Sequence, residues 1–95
     1  MAKDPCVYII TNNGNTVLYT GVTADLSSRI YAHKQGRGGV FSSKYKLGKL
    51  VYTEHFPTMM QAIEAEKHIK AGSRAKKVAL IEDSNPEWRD LYDDL

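Results

Sequence analysis

Two runs rich in β-branched and aromatic residues, CVYIIT at 6–11 and TVLYTGV at 16–22, are separated by NNGN at 12–15. Asn and Gly tolerate the positive φ that a tight hairpin turn needs. The segment therefore predicts two adjacent antiparallel strands and constrains the fold more than any other stretch. With a turn centred near Asn13 and Gly14, Tyr8 and Tyr19 are expected roughly opposite each other, their hydroxyls at one end of the sheet. At 95 residues there is room for one domain, expected over 1–95, and for one small core.

Helix signals follow. Thr23 or Asp25 can cap a helix that runs to about Gln35, with Leu26 and Ile30 on its core side and Gly36 as its stop. The Gly-, Ser- and Lys-rich stretch 36–49 has no regular period and reads as a mobile basic loop. LVYTEHF (50–56) reads as a third strand, ended by Pro57. Thr58 and Gln61 form a capping box for a second helix to about Ala71. Ser73 can cap a third helix to about Glu82, with Val78, Leu80 and Ile81 as its apolar positions. In SNPEW (84–88), Ser84 or Asn85 precedes Pro86 at a first helical position, which predicts a short last helix carrying Trp88, Leu91 and Tyr92. The order is ββα, loop, βααα: an α+β fold with a small three-stranded antiparallel or mixed sheet flanked by helices.

Composition narrows the class. Hydrophobic residues at 42% and charged residues at 25% argue for a folded globule rather than disorder. Cys6 is the single cysteine, which excludes an intrachain disulfide and a thiolate metal cage and fits a reducing compartment. No apolar run approaches the roughly 18–20 residues of a membrane span, and the N-terminus lacks a signal-peptide pattern. A cytoplasmic protein with no membrane partner, monomeric or weakly dimeric, is expected. Charge is segregated: Leu26–Thr53 holds six basic residues and no acid, Lys67–Ile81 holds five and no acid, and six of the eleven acids fall after Ile81. Such segregation suggests a face that meets a polyanion; chance patchiness is the plain alternative.

Glu66 lies within about 60° of Met59, Ala62, Ile63 and Ile69 on the wheel of the second helix, in the middle of the core-facing stripe. A carboxylate there calls for a cation, donors or a solvated cleft; a simple i+4 pair with Lys70 is the alternative. Arg29 and His33 share one face of the first helix and can converge on an anion, although an isolated pair of this kind commonly faces solvent. His55 and His68 give no metal spacing with His33. Tyr8 and Tyr19 on the paired strands are either core aromatics or, with Arg29, His33 and Glu66, a set able to hydrolyse a phosphodiester with one divalent metal. A phenol acting as base needs nearby positive charge.

Tyr8 within CVYII, Tyr19-Thr20-Gly21 eleven positions on, Arg29 eight residues after that glycine, and Glu66 on the second helix resemble the GIY-YIG nuclease superfamily. The resemblance covers essentially the whole chain, the terminal NPEWRDLY included. It is closest to the small stand-alone members related to the N-terminal nuclease domain of the excinuclease UvrC. It implies metal-dependent endonuclease chemistry on DNA phosphodiesters of the DNA-repair type, with RNA left open, structure-directed rather than sequence-specific, and leaves room for a recruiting protein. By position, Glu66 would bind one Mg²⁺ or Mn²⁺ ion, with water and phosphate completing its coordination. Tyr8 and Tyr19 match the motif tyrosines, one of which orients or deprotonates the attacking water. Arg29 matches the arginine that steadies the scissile phosphate, His33 falls where relatives place a Tyr or His near it, and Gly21 lets the backbone turn close to the site. Asn85 is set against the late asparagine of the family core, or serves as a helix N-cap. Val22 stands where the excinuclease domain has a lysine, so His33 is expected to share in activating water. Lys34, Arg37, Lys44, Lys46, Lys70 and Arg74 would grip the phosphate backbone. A binding module with little turnover unless recruited is the second reading, and an adaptor working through the acidic tail and Trp88 the third.

Overall fold

The computed structural model describes residues 4–95. All six side chains of β1 (Cys6–Thr11) are buried. A strand covered on both faces belongs at the centre of a sheet with helices on either side. β1 pairs antiparallel with β2 (Leu18–Thr23) along one edge and with β3 (Lys49–His55) along the other, giving the order β2-β1-β3. The sheet is thus wholly antiparallel.

The hairpin connection is longer than the NNGN run alone. β2 begins at Leu18, after a turn in which the Asn12 side-chain oxygen accepts from the Thr16 and Val17 amides at 2.8 and 3.3 Å, and Asn15 adopts φ 58°. The register pairs Tyr8 with Gly21 and Ile10 with Tyr19. The two tyrosines are therefore offset by two residues rather than opposite. A two-residue offset keeps them on the same face of the sheet, since side chains alternate with period two.

Each face of β1 feeds its own core. Cys6, Tyr8 and Ile10 pack with Leu26 and Ile30 of α1 (Leu26–Lys34) and with Leu47 and Leu50. Val7 and Ile9 pack on the other side with Ala62 and Ile69 of α3 (Met59–Ala71) and Ile81 of α4 (Arg74–Ser84). A bulge in β3 sets Ile9 opposite Tyr52 and Ile10 opposite Leu50, which leaves Val51 as the extra residue and turns both Val51 and Tyr52 to the second core. The caps expected from sequence form. Asp25, Thr58 and Ser73 accept from the amides of Ser28, Gln61 and Lys76, each such cap contributing about 1 kcal/mol.

Two segments differ from expectation. Within 36–49 the chain forms a short helix, α2 (Val40–Lys44), entered through Gly39 at φ 123°. Its only buried residue is Ser42, so it carries no apolar stripe by which a helix is ordinarily recognised. The last helix, in contrast, does not start at Pro86. Asn85 closes α4, and Trp88 takes φ 55°, which stops any helix; only a 3₁₀ turn at Leu91–Asp94 follows. Asn85 is accordingly a C-cap and not the N-cap expected. Its buried amide donates to the carbonyls of Val51 (3.2 Å) and Arg89 (2.9 Å), and its oxygen accepts from the Arg89 amide (3.0 Å). Asp90 completes the anchor by accepting from the amides of Leu50 and Tyr92 and from Lys34. Burial pushes the Asp90 carboxyl up, but Lys34 and the two amides outweigh it and hold it below the usual range. Among the described residues no helix is long and apolar enough to cross a membrane.

Candidate active site

The buried His33 is the centre of the site. Leu26, Ile30 and His33 occupy the core side of α1 at i, i+4 and i+7, so the imidazole points inward beneath the sheet. Its Nε2 lies 3.0 Å from the Tyr8 hydroxyl and its Nδ1 lies 2.6 Å from the Ser42 hydroxyl. Ser42 also donates to the Leu47 carbonyl at 3.2 Å.

Hydrogen counting gives this chain a direction. Ser42 has one hydroxyl proton, and the Leu47 carbonyl can only accept it. Ser42 must then accept from His33, which places the imidazole proton on Nδ1 and leaves the Nε2 lone pair for the Tyr8 O–H. The opposite tautomer would leave the Leu47 carbonyl without the Ser42 proton and the Tyr8 proton without an acceptor. All buried side-chain nitrogen and oxygen atoms among the described residues do find partners. The tautomer is thus assigned by satisfaction of the network.

Electrostatics agree with a neutral imidazole and a protonated phenol. Burial pushes the His33 pKa below its ordinary 6.5, and the nearby Arg29 guanidinium lowers it further. Burial raises the Tyr8 phenol above its ordinary 10.0. Arg29 opposes that rise by hydrogen bonding and charge, while Tyr19 and Glu66 add to it. Arg29, Tyr19 and Glu66 therefore all lie within electrostatic reach of one phenol. Tyr8 itself is fully buried, whereas Arg29 is exposed and Tyr19 half-buried. The Tyr19 ring sits 6.4 Å from Tyr8 and 5.8 Å from His33, centroid to centroid.

Two glycines make room for these rings. A Cβ on Gly21 would lie 2.4 Å from the Tyr8 phenol carbon and oxygen, and one on Gly38 would lie 2.0 Å from His33 Nδ1. Gly21 is not the turn expected: it lies within β2, paired with Tyr8, and its missing side chain leaves room for the Tyr8 ring. Sequence reasoning missed Gly38 and Ser42.

Glu66 reaches this region from α3. Its side chain is 14% exposed and 3.3 Å from Lys70 Nζ, so the core-side placement and the i+4 ion pair coexist. Among the described residues no three metal-ligating side chains cluster. One partly exposed carboxylate still suits Mg²⁺ or Mn²⁺, because a small hard cation keeps several waters and is held by one or two carboxylates together with substrate phosphate oxygens.

Of the basic residues expected at a phosphate backbone, Lys34 is paired with Asp90 and lies 5.0 Å from the Tyr92 ring. Arg74 donates to the Asn15 and Thr16 carbonyls of the hairpin turn at 3.0 and 3.1 Å. Arg37, Lys44, Lys46 and Lys70 are exposed on the surface. A separate groove between α3 and α4, lined by Ile69, Leu80 and Lys77 among others, shares none of the Tyr8, Tyr19, Arg29, His33 or Glu66 side chains.

Comparison with known proteins shows the family. The family model of the GIY-YIG catalytic domain matches residues 4–79. The chain belongs to the GIY-YIG family. Among relatives of this GIY-YIG protein, a UPF0213 protein of Natronomonas pharaonis is 37% identical over 83 residues, covering 87% of this chain and 96% of that one. Another from Staphylococcus saprophyticus is 37% identical over 75 residues, covering 79% and 90%. The solution NMR structure of a UPF0213 protein from Bacillus halodurans superimposes with a TM-score of 0.58 at 30% identity, covering 92% of each chain. The three-stranded sheet with its flanking helices is thus that of a UPF0213-type GIY-YIG domain, a domain class that implies nucleic-acid binding.

Proposed function

We propose that the protein is a divalent-metal-dependent endonuclease acting on DNA, structure-directed rather than sequence-specific. The observation that carries this reading is the directional chain Tyr8–His33–Ser42, a phenol with a built proton acceptor inside a nuclease-family site. A buried phenol needs an acceptor in any case; here the acceptor is an imidazole, a group that can also take up a proton.

Glu66 would hold the cation, which supplies charge neutralisation at the scissile phosphate. Arg29, exposed beside the Tyr8 phenol, can fork onto two phosphate oxygens and steady the charge that develops there. Tyr8 has no exposed surface, so water reaches its oxygen as the Tyr19 ring beside it shifts on substrate binding. The phenol then takes a proton from the attacking water while its own proton passes to His33 Nε2. Arg29 favours the transient phenolate. Ser42 holds Nδ1–H, so the imidazole presents its lone pair to Tyr8 throughout. Lys70, paired with Glu66 and exposed, would be placed to meet phosphate.

Purified protein incubated with flap, nicked, single-stranded and duplex DNA, with and without Mg²⁺, tests the reading beside Glu66→Gln and Arg29→Ala. Mg²⁺-dependent cutting that both substitutions abolish is expected. Equal cutting by wild type and Glu66→Gln, or binding by both with no cutting of any substrate, removes the enzyme reading and leaves a binding module.

A further inference from the structure

Helix α2 is inside out. Its one buried side chain is Ser42, while Val40, Phe41 and the capping Tyr45 are 89%, 46% and 40% exposed. A helix of a globular protein turns its apolar residues to the core; a contiguous apolar patch turned to solvent marks a contact surface. Folding explains the serine, which anchors His33. It does not explain the aromatic residues on either side.

The rings are not scattered. Phe41 lies 6.2 Å from Tyr19 and 4.8 Å from Tyr45, centroid to centroid, and Tyr19 lies 5.8 Å from His33. A row of aromatic rings therefore runs outward from the His33–Tyr8 chain, over Tyr19 and Phe41, to Tyr45. Cations flank it. Lys70 Nζ stands 5.7 Å from the Tyr19 ring and Lys44 Nζ 5.4 Å from the Tyr45 ring, and the exposed Arg37 lies on the loop leading into α2. Ring faces beside ammonium groups match a ligand of alternating flat bases and phosphates. Unpaired bases offer their π-faces to such rings, each stacked base being worth about a tenfold or greater gain in affinity. A duplex keeps its base faces stacked inside and gives the rings nothing to cover.

We propose that Phe41 and Tyr45 form a stacking platform for unpaired bases next to the scissile phosphate, so that the substrate is a single strand or a single-stranded end. This inference rests on the nuclease reading for the position of the phosphate, but the platform itself is a binding site that can be tested apart from cleavage.

The test is fluorescence anisotropy of labelled 12-nucleotide probes in divalent-free buffer: oligo-dT, oligo-rU, a matched duplex, and an abasic strand of equal phosphate count. Wild type is expected to bind oligo-dT or oligo-rU at least about tenfold more tightly than the abasic strand and the duplex, with the two single strands reporting DNA against RNA preference. Phe41→Ala and Tyr45→Ala should each lower single-strand affinity about tenfold and leave the abasic strand unaffected, whereas Phe41→Trp should keep affinity and show tryptophan quenching on binding. Equal affinity for abasic and base-bearing strands, or wild-type affinity in the Phe41→Ala/Tyr45→Ala double variant, overturns the platform. Mg²⁺-dependent cutting of duplex with such equal affinities would sink the platform and keep the nuclease; base-dependent binding without cutting would do the reverse.

Discussion

Ser42→Ala is the substitution whose consequences the site geometry defines most fully. Ser42 is 2% exposed, and its hydroxyl is 2.6 Å from His33 Nδ1 and 3.2 Å from the Leu47 carbonyl. Alanine leaves both atoms buried without a partner, and each orphaned buried group costs about 1–3 kcal/mol. A loss of about 2 kcal/mol corresponds to a fall in Tm of roughly 8–16 °C for a domain of this size. The catalytic consequence is separate. Without an acceptor at Nδ1 the imidazole proton is free to move to Nε2, which then offers the Tyr8 oxygen a donor in place of a lone pair. Loss of a positioned proton acceptor lowers turnover by about 10²–10⁴-fold. Affinity for nucleic acid should hold, because Ser42 has almost no surface. Thermal melting, anisotropy and single-turnover cleavage read the three effects, and ¹⁵N NMR of the imidazole reads the tautomer directly. A wild-type spectrum with the proton on Nε2, or wild-type turnover in folded Ser42→Ala, refutes the reasoning.

Gly21→Ala forces a Cβ onto the Tyr8 phenol carbon and oxygen; overpacking of this kind costs about 1–3 kcal/mol, so a lower midpoint in urea is expected, together with turnover lost beyond what stability explains. Asn85→Ala should lower the same midpoint with an unchanged m-value and unchanged turnover in the folded fraction, since the Asn85 side chain bonds only Val51 and Arg89 backbone atoms. The pH dependence follows from His33, whose pKa is depressed by burial and by Arg29 and whose other ring neighbours are the Tyr8 and Tyr19 phenols. The unfolded chain takes up a proton near 6.5 and the folded chain only at lower pH, so His33 makes stability fall as pH drops from 6.5 through the folded pKa. The acid limb of turnover should likewise lie below 6.5, and a limb above 6.5 in titrations of kcat contradicts a desolvated imidazole.

Local signals carried most of the fold. The NNGN turn between two β-rich runs and the Thr58 and Ser73 caps each have a mechanism within a few residues, and each formed, although the Gln61 side chain does not close the capping box back onto Thr58. The hairpin register slipped by two because the turn extends to Val17, and turn length rather than strand pattern sets register. α2 was illegible because its pattern is inverted: the serine is inside and the aromatics outside. The left-handed Trp88 that ends the chain's helices is fixed by tertiary contacts, among them its Nε1 bond to Glu82 at 2.9 Å, and no local propensity announces it. In the site, Tyr8, Tyr19, Arg29, His33 and Glu66 were legible as residue types at suggestive spacings, and all gather around one phenol. The i, i+4, i+7 spacing of Leu26, Ile30 and His33 was the available signal for the buried imidazole. Ser42 and Gly38 left none, since a serine and a glycine in a polar loop look like solvent-facing residues until the loop folds back over His33.

Tyr8→Phe removes a single oxygen, the one that in the proposed mechanism would join the His33–Ser42 chain to the attacking water. Single-turnover cleavage of a labelled oligonucleotide in Mg²⁺, beside anisotropy on the same strand, measures it. A loss of turnover of about 10²-fold or more is expected, with affinity within about twofold of wild type. Cleavage at the wild-type rate by folded Tyr8→Phe would contradict it.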